Sequence, residues 1–291
     1  MFNDLAAKEG NPKWSDLVRR EEPLYSRKGD TRSEFARDYN RILHSTAYRR
    51  LKHKTQVFFA PENDHVCTRI EHVNHVTAIS YTIAKEFGLN TELTNAIAIG
   101  HDLGHTPFGH AGQEILNEIA KDCIGDEFWH EKNSLHFVDN LETLPDPENK
   151  EINLLLTYAV RDGIICHCGE VDKDSIYPRP DVIDLHRITK PDQFQPFTWE
   201  GCVVKVADKI AFLGRDIEDA VRLGILSYRK FLSESRTLCP YLADDTISVK
   251  PRELNNTVLI HSLIIDLLNS SSPTVGLQVS RKRKKFLWRG F

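Results

Sequence analysis

No stretch of this 291-residue sequence is apolar for long enough to cross a bilayer; the strongest candidate, Val258 to Leu268, is short and interrupted by His261 and Asp266. The opening residues, MFNDLAAKEGNPKW, carry acids and lack the apolar block of a secretory signal. A cytoplasmic protein with no membrane partner is the expectation. The six cysteines, Cys67, Cys123, Cys166, Cys168, Cys202 and Cys239, include no C-x-x-C pair and are too sparse for a disulfide-built secreted domain. They are expected to be thiols that hold no metal. There is no excess of cations either: 38 Lys and Arg against 42 Asp and Glu give a net charge of -4. That excludes a wholly basic nucleic-acid binder and leaves room only for a local basic groove. Sustained two-residue alternation is almost absent and no internal repeat is found, so the expected class is all-α with one large core.

Helical periodicity takes the place of what is missing. Residues 1–32, interrupted by Pro12, Pro23 and Gly29, read as an arm that wraps the surface or leads into the core. From Ser33, Phe35, Tyr39, Ile42 and Leu43 recur near the helical period. His44 to Gln56 is dense in cations, among them Arg49, Arg50, Lys52 and Lys54, and reads either as a solvated helix face or as a positive wall for a polyanion. After a loop over 57–67, Val76, Ile79, Ile83 and Phe87 form an apolar stripe that Gly88 stops. Asn90 or Thr91 can cap the next helix, whose Leu93, Ala96, Ile97 and Ile99 lead to His101. Further helices are expected near 132–142, 150–162, 203–223 and 255–268, with an extended surface excursion over 163–200. The body is assigned to 33–270, followed by a basic tail, 271–291.

The polar residues that interrupt these helices carry the chemistry. His72 lies three residues from Arg69, so both can face one cavity. His101 and Asp102 diverge by about 100° on an ideal helix but can converge on one ion at a helix end. Asp208 sits in the otherwise apolar run VVKVADKIAF, where a buried carboxylate needs a cation or strong donor to offset its desolvation. Taken singly, each histidine has a plainer structural reading. Together, two imidazoles and two carboxylates suit one divalent ion such as Mn²⁺, Fe²⁺, Co²⁺, Ni²⁺ or Mg²⁺ better than a thiolate-rich zinc site. Cys166-His167-Cys168 invites a zinc reading, but with no second Cys/His pair at the usual spacing it is read as an exposed or partly buried structural segment.

RIEHVNHV from Arg69, HDLGHTPFGH from His101, ADKIAFLGRDIED from Ala207 and RSEFARDYNRILHSTAYRRLKHKTQVF over 32–58 together resemble the HD-domain superfamily. More narrowly they resemble its deoxynucleoside triphosphate triphosphohydrolases, over roughly residues 30 to 270. The resemblance implies a helical HD fold with His72, His101, Asp102 and Asp208 as metal ligands. It implies that His105, His110 and His130 surround the triphosphate or assist proton transfer. It further implies Arg69 as the first α-phosphate contact, Lys209 and Arg50 as further phosphate contacts, and Gln56 near the sugar. Phe212 stands where the family commonly has tyrosine, so stacking is kept and a phenolic donor lost. Asp216 is placed toward the 3'-hydroxyl, with pairing to Arg215 or Arg222 as the plainer alternative. Gln113, in GHAGQE, stands where the family often has an acid; it cannot accept water's proton or orient an imidazolium as a carboxylate would, and Glu131 or Glu114 is the stand-in considered.

The implied reaction is attack of water on the α-phosphorus of a dNTP, releasing deoxynucleoside and intact triphosphate, in a homo-oligomer that removes excess dNTPs. Two rivals stand beside it. One is an HD phosphohydrolase acting on another nucleotide phosphate ester. The other is a non-catalytic module that binds nucleotides or single-stranded nucleic acid.

Overall fold

A computed structural model describes residues 2–56, 67–168, 175–225, 227 and 256–280, less the side chains of Arg215, Asp216 and Arg222. In chain order the described helices are α1 (Trp14–Leu17), α2 (Glu34–His44), α3 (Thr46–Arg50), α4 (Arg69–Phe87), α5 (Thr91–Gly100), α6 (Gly109–Ile124), α7 (His130–His136), α8 (Tyr158–Cys166), α9 (Trp199–Arg222) and α10 (Asn256–Ser270). The only described sheet is a hairpin of β1 (Thr143–Pro145) and β2 (Glu151–Asn153), with Leu144 opposite Ile152. The all-α fold read from the periodicities is the fold observed.

Local chemistry accounts for the helix boundaries. At the start of α4 the Glu71 carboxylate accepts from the Thr68 backbone N–H at 2.7 Å, and the helix ends at Gly88. Asn90 Oδ1 then accepts from the backbone N–H groups of Glu92 and Leu93 at 3.0 and 3.1 Å, which caps α5. The predicted stripe Val76, Ile79, Ile83 and Phe87 is buried, and α4 packs on α5 and α9 through it. The core is assembled from α2, α4, α5, α8, α9 and α10.

The contact between α5 and α8 decides where the site lies. A Cβ on Gly163 would come within 2.6 Å of Ile97 Cδ1, and one on Gly100 within 2.8 Å of Ile164 Cδ1. The missing side chains let the two helices touch along successive turns, Ile97 with Gly163 and Gly100 with Ile164. Both helices therefore finish at the same end of the core, where His101 follows α5 and His167 follows α8.

Two sequence expectations are corrected. The helix expected over 150–162 begins only at Tyr158, because Glu151–Asn153 pairs as a strand with Thr143–Pro145. The stretch 163–200 is no surface excursion: Gly163–Cys166 completes buried α8, and Ile176, Leu185, Ile188 and Phe197 are core residues. The Cys166-His167-Cys168 segment, expected to be exposed or partly buried, is of the second kind: buried at Cys166 and His167 and half-buried at Cys168.

The N-terminal arm contributes Phe2, whose ring lies 4.6 Å from that of Phe87 and 4.8 Å from that of Trp199. Of the segment read as a tail, residues 271–280 return to the body, where Leu277 and Ile176 exchange backbone hydrogen bonds of 2.9 Å; residues 281–291 lie outside the described residues.

The turn after His101 docks directly on α7. Ser134 Oγ donates to His101 O at 2.9 Å and accepts from Gly104 N–H at 2.9 Å, while Asn133 Nδ2 donates to Gly104 O at 2.7 Å. A Cβ on Gly104 would stand 2.1 Å from Ser134 N and 2.7 Å from His130 O, both backbone atoms that cannot yield. Gly104→Ala should therefore push α7 off the turn and lower stability by about 3 kcal/mol, toward the upper end of overpacking costs. Urea denaturation checks this, and a midpoint equal to that of the wild type would contradict the docking described.

Candidate metal centre

Three elements converge where α5 ends. His72 projects from the first turn of α4, His101 and Asp102 follow α5, and Asp208 lies in the middle of α9. His72 Nε2 lies 2.8 Å from Asp208 Oδ1, and His101 Nε2 lies 3.8 Å from the same oxygen and 3.6 Å from Asp102 Oδ2. The four residues expected as metal ligands from separate parts of the sequence are thus neighbours. Ligand atoms of His72, His101 and Asp208 all fall within 4.8 Å of one another, as do those of His101, Asp102 and His167.

The tautomer of His101 follows from its neighbour. Its Nδ1 lies 2.6 Å from the carbonyl oxygen of Ala98, an acceptor only, so Nδ1 carries the proton and Nε2 the lone pair. That Nε2 is buried without a hydrogen-bond partner among the described residues and faces two carboxylate oxygens. A lone pair opposed to carboxylates in a dry site is costly unless a cation lies between them. Two neutral imidazoles and two carboxylates would also balance a divalent charge, so the donor set fits such an ion.

Around this set lie the cations. Arg69 Nη1 donates to Asp102 Oδ2 at 2.6 Å, its Nη2 to Gln56 O at 2.8 Å and its Nε to Thr55 O at 3.3 Å. Lys54 Nζ donates to His105 O at 2.6 Å and Leu103 O at 3.2 Å, bracing the turn after Asp102. Burial, then the neighbouring Arg69 charge, lowers the Lys54 ammonium to about 8. Burial alone would raise the Asp102 carboxyl; its electrostatic interactions with His101, Arg69, His105 and His130 outweigh this and hold it well below the usual range. At Asp208 burial is likewise outweighed, by the hydrogen bond with His72 and the electrostatic influence of His72 and His101, and the carboxyl is held below its ordinary value.

The other predicted histidines gather on the α7 side. His105 stacks on His130 with ring centroids 4.4 Å apart, and exposed His110 lies 5.2 Å from His105. Burial and, second, the Arg69 charge hold His105 well below its ordinary value; burial and the neighbouring His105 do the same to His130. Gln113 occupies the place of the expected acid and makes a definite contact: its Oε1 accepts from His130 N–H at 3.0 Å and lies 2.8 Å from His130 Nδ1. The backbone donor fixes which end of the amide faces the ring, so Nδ1 is protonated and Nε2, 3.9 Å from Asp102 Oδ1, has the lone pair. Glu131, one of the two stand-ins considered, is buried with Oε2 3.3 Å from His130 Nδ1, and burial raises its carboxyl to about 7. Glu114, the other, is exposed.

Of the remaining expected contacts, Gln56 is buried with its Oε1 unpartnered among the described residues, and Lys209 is half-buried beside Asp208. Phe212 is exposed one turn beyond Asp208, and Arg50 is exposed at the end of α3. The Asp216 side chain lies outside the described residues.

His167 is the residue sequence reasoning missed. It is 1% exposed, its ring centroid lies 4.9 Å from that of His101 and 5.6 Å from that of His130, and its Nδ1 lies 2.7 Å from Ile164 O. Its helix-end hydrogen bond repeats that of His101. Lys54, read only as part of a cationic run, was missed as the brace of the turn.

A helical core presenting a histidine, a His-Asp pair and a distant aspartate in this arrangement defines an HD-domain protein, and the HD domain family pattern matches residues 69–213. Several curated relatives carry the name deoxyguanosinetriphosphate triphosphohydrolase-like protein. That of Caldanaerobacter subterraneus subsp. tengcongensis is 43% identical over 199 residues, covering 68% of this chain and 49% of the relative. That of Clostridium tetani is 38% identical over 248 residues, covering 85% and 60% respectively. For the Bordetella pertussis protein the identity is 35% over 282 residues, covering 93% and 68%. The chain belongs to this deoxyguanosinetriphosphate triphosphohydrolase-like family of HD-domain proteins; against some of these relatives it spans only about half their length, 49% in the first case.

Burial of neutral imidazoles makes the metal-free protein sensitive to acid. His105, His130 and His167 have folded values below the unfolded value of about 6.5, with His167 down to about 4 through burial first and the proximity of His101 second. The unfolded chain then binds more protons than the folded one between these limits, so stability is full above pH ~6.5 and declines as pH falls toward 4. Thermal midpoints of EDTA-treated protein should drop between pH 7 and pH 5, and a flat profile would show that these rings are not held neutral.

Proposed function

We propose that the chain is the catalytic part of a metal-dependent dNTP triphosphohydrolase. In this reading water attacks the α-phosphorus, the bond to the sugar 5'-oxygen breaks, and deoxynucleoside and intact triphosphate leave. The observation that carries it is the buried, unpartnered Nε2 of His101 aimed at the carboxylates of Asp102 and Asp208 beside the Arg69 guanidinium. The names of the relatives support the substrate class, with dGTP as one candidate.

His72, His101, Asp102 and Asp208 would hold one divalent ion, with Mn²⁺, Mg²⁺, Fe²⁺, Co²⁺ and Ni²⁺ compatible with the nitrogen and oxygen donors. Bound there, the ion supplies Lewis-acid polarisation of a phosphate oxygen and orients water. His130 Nε2, kept neutral, is suited to take the proton of the attacking water, while His105 and His110 contact the triphosphate. Glu131, with its carboxyl near neutrality, is suited to proton exchange with His130. Arg69 keeps Asp102 ionised and contributes positive charge at the α-phosphate; Lys209 and Arg50 neutralise the outer phosphates. Gln56, Phe212 and Asp216 are assigned to the sugar and base.

The exposed apolar residues Ile115, Leu116 and Ile119 on α6 support assembly as a homo-oligomer. No described helix is long and apolar enough to cross a membrane, which is compatible with a cytoplasmic enzyme.

A product assay tests the reading: the full chain reconstituted with Mn²⁺ or Mg²⁺ and offered each of the four dNTPs should release deoxynucleoside and intact triphosphate. His101→Ala should lower the rate at least about 100-fold through loss of the ion and its charge stabilisation. Release of phosphate or pyrophosphate would instead favour a different phosphate-ester hydrolase, and tight dNTP or single-stranded DNA binding without turnover would favour a binding module.

A further inference from the structure

The Cys166-His167-Cys168 segment takes on a different meaning once α7 is set against it. Its weakness as a metal site in sequence was the lack of further donors at close spacing. Folding supplies them from α7: ligand atoms of His130, His167 and Cys168 all fall within 4.8 Å of one another. Only Nε2 of His167 is available, since Nδ1 is committed to Ile164 O; that Nε2 is buried without a hydrogen-bond partner among the described residues. The Glu131 carboxylate borders this group on the Nδ1 side of His130. Its Oε2 is buried and also without a hydrogen-bond partner among the described residues, it lies 3.3 Å from His130 Nδ1, and Cys168 makes a side-chain hydrogen bond to Glu131.

We propose that Nε2 of His130, Nε2 of His167 and the sulfur of Cys168 form a second divalent-cation site beside the one held by His72, His101, Asp102 and Asp208; an ion there takes up the His130 lone pair, so its binding and the use of that nitrogen as a base exclude one another. The inference stands on this geometry and not on the proposed reaction. The two sites differ in chemistry. The first offers only nitrogen and oxygen; the second adds a sulfur, which favours a borderline ion such as Zn²⁺ or Co²⁺ and disfavours Mg²⁺. Binding displaces the Cys168 thiol proton to solvent, leaving a thiolate on the ion. His167 stands between the sites, because its ligand atom also falls within 4.8 Å of those of His101 and Asp102.

Co²⁺ titration of the full metal-free chain at neutral pH, without nucleotide, tests the site directly. The expected result is two equivalents per chain, one producing a thiolate-to-cobalt charge-transfer band in the near ultraviolet. Cys168→Ser should lose that band and one equivalent, whereas His72→Ala should lose one equivalent and keep the band. A single equivalent in the wild type, no thiolate band in the wild type, or a band that survives Cys168→Ser would each overturn the proposal. The wild-type titration decides even if a variant fails to fold, and it is indifferent to whether any dNTP is hydrolysed.

Discussion

The site depends on keeping one buried carboxylate charged. Asp102 is 3% exposed, and a carboxylate so removed from water would protonate unless paired. Its partner is Arg69 at 2.6 Å, itself 3% exposed and held by the carbonyls of Thr55 and Gln56. Such a pair earns little net stability, because desolvation of both ions offsets their attraction. Its consequence is positional. Arg69 is the first residue of α4 and Asp102 follows α5, so the ion pair fixes the start of one helix against the end of the other. His72, three residues into α4, is thereby held opposite His101.

The histidines follow a second constraint, that each ring nitrogen not meant for the site must be occupied elsewhere. His101 gives Nδ1–H to Ala98 O and His167 gives Nδ1–H to Ile164 O, each the carbonyl three residues back at its helix end. The unsatisfied carbonyls of a helix C-terminus are available for this use. A helix end thus selects the tautomer and turns Nε2 inward without any additional residue. Because α5 and α8 finish at the same end of the core, two such rings meet at 4.9 Å. Histidines placed in this way present lone pairs, which explains why the cluster is rich in buried acceptors and poor in donors.

Much of this was legible in the sequence, and the reason is locality. The stripe Val76, Ile79, Ile83 and Phe87 and the caps around Gly88 and Asn90 are short-range signals, and they set α4 and α5. The expected ligands His72, His101, Asp102 and Asp208 were found together because each interrupts one of those local patterns. His167 was not legible, because its place comes from glycine-mediated contact between α5 and α8, and small residues leave no mark in a hydrophobic period. The spacing of Cys166 and Cys168 drew attention to sulfur and away from the imidazole between them. The hairpin over 143–153 escaped for a simpler reason: strands of three residues are too short to display alternation.

Gln113 shows how a departure from a family pattern can divide one role into two. An acid at that position both orients the histidine and stabilises it when protonated. Gln113 Oε1 retains the first effect, accepting from the backbone N–H of His130 and facing its Nδ1 at 2.8 Å, and lacks the second. The ring is therefore held in place as a neutral base, with burial and the adjacent His105 opposing its protonation. Negative charge to stabilise a protonated His130 has to come from a residue other than Gln113. Asp102, 3.9 Å from His130 Nε2, supplies it on one side of the ring, and Glu131, 3.3 Å from Nδ1, can do so on the other when ionised. In the proposed reaction the group that would handle the proton is thus an imidazole between two carboxyls, with the amide of Gln113 serving only to set its direction.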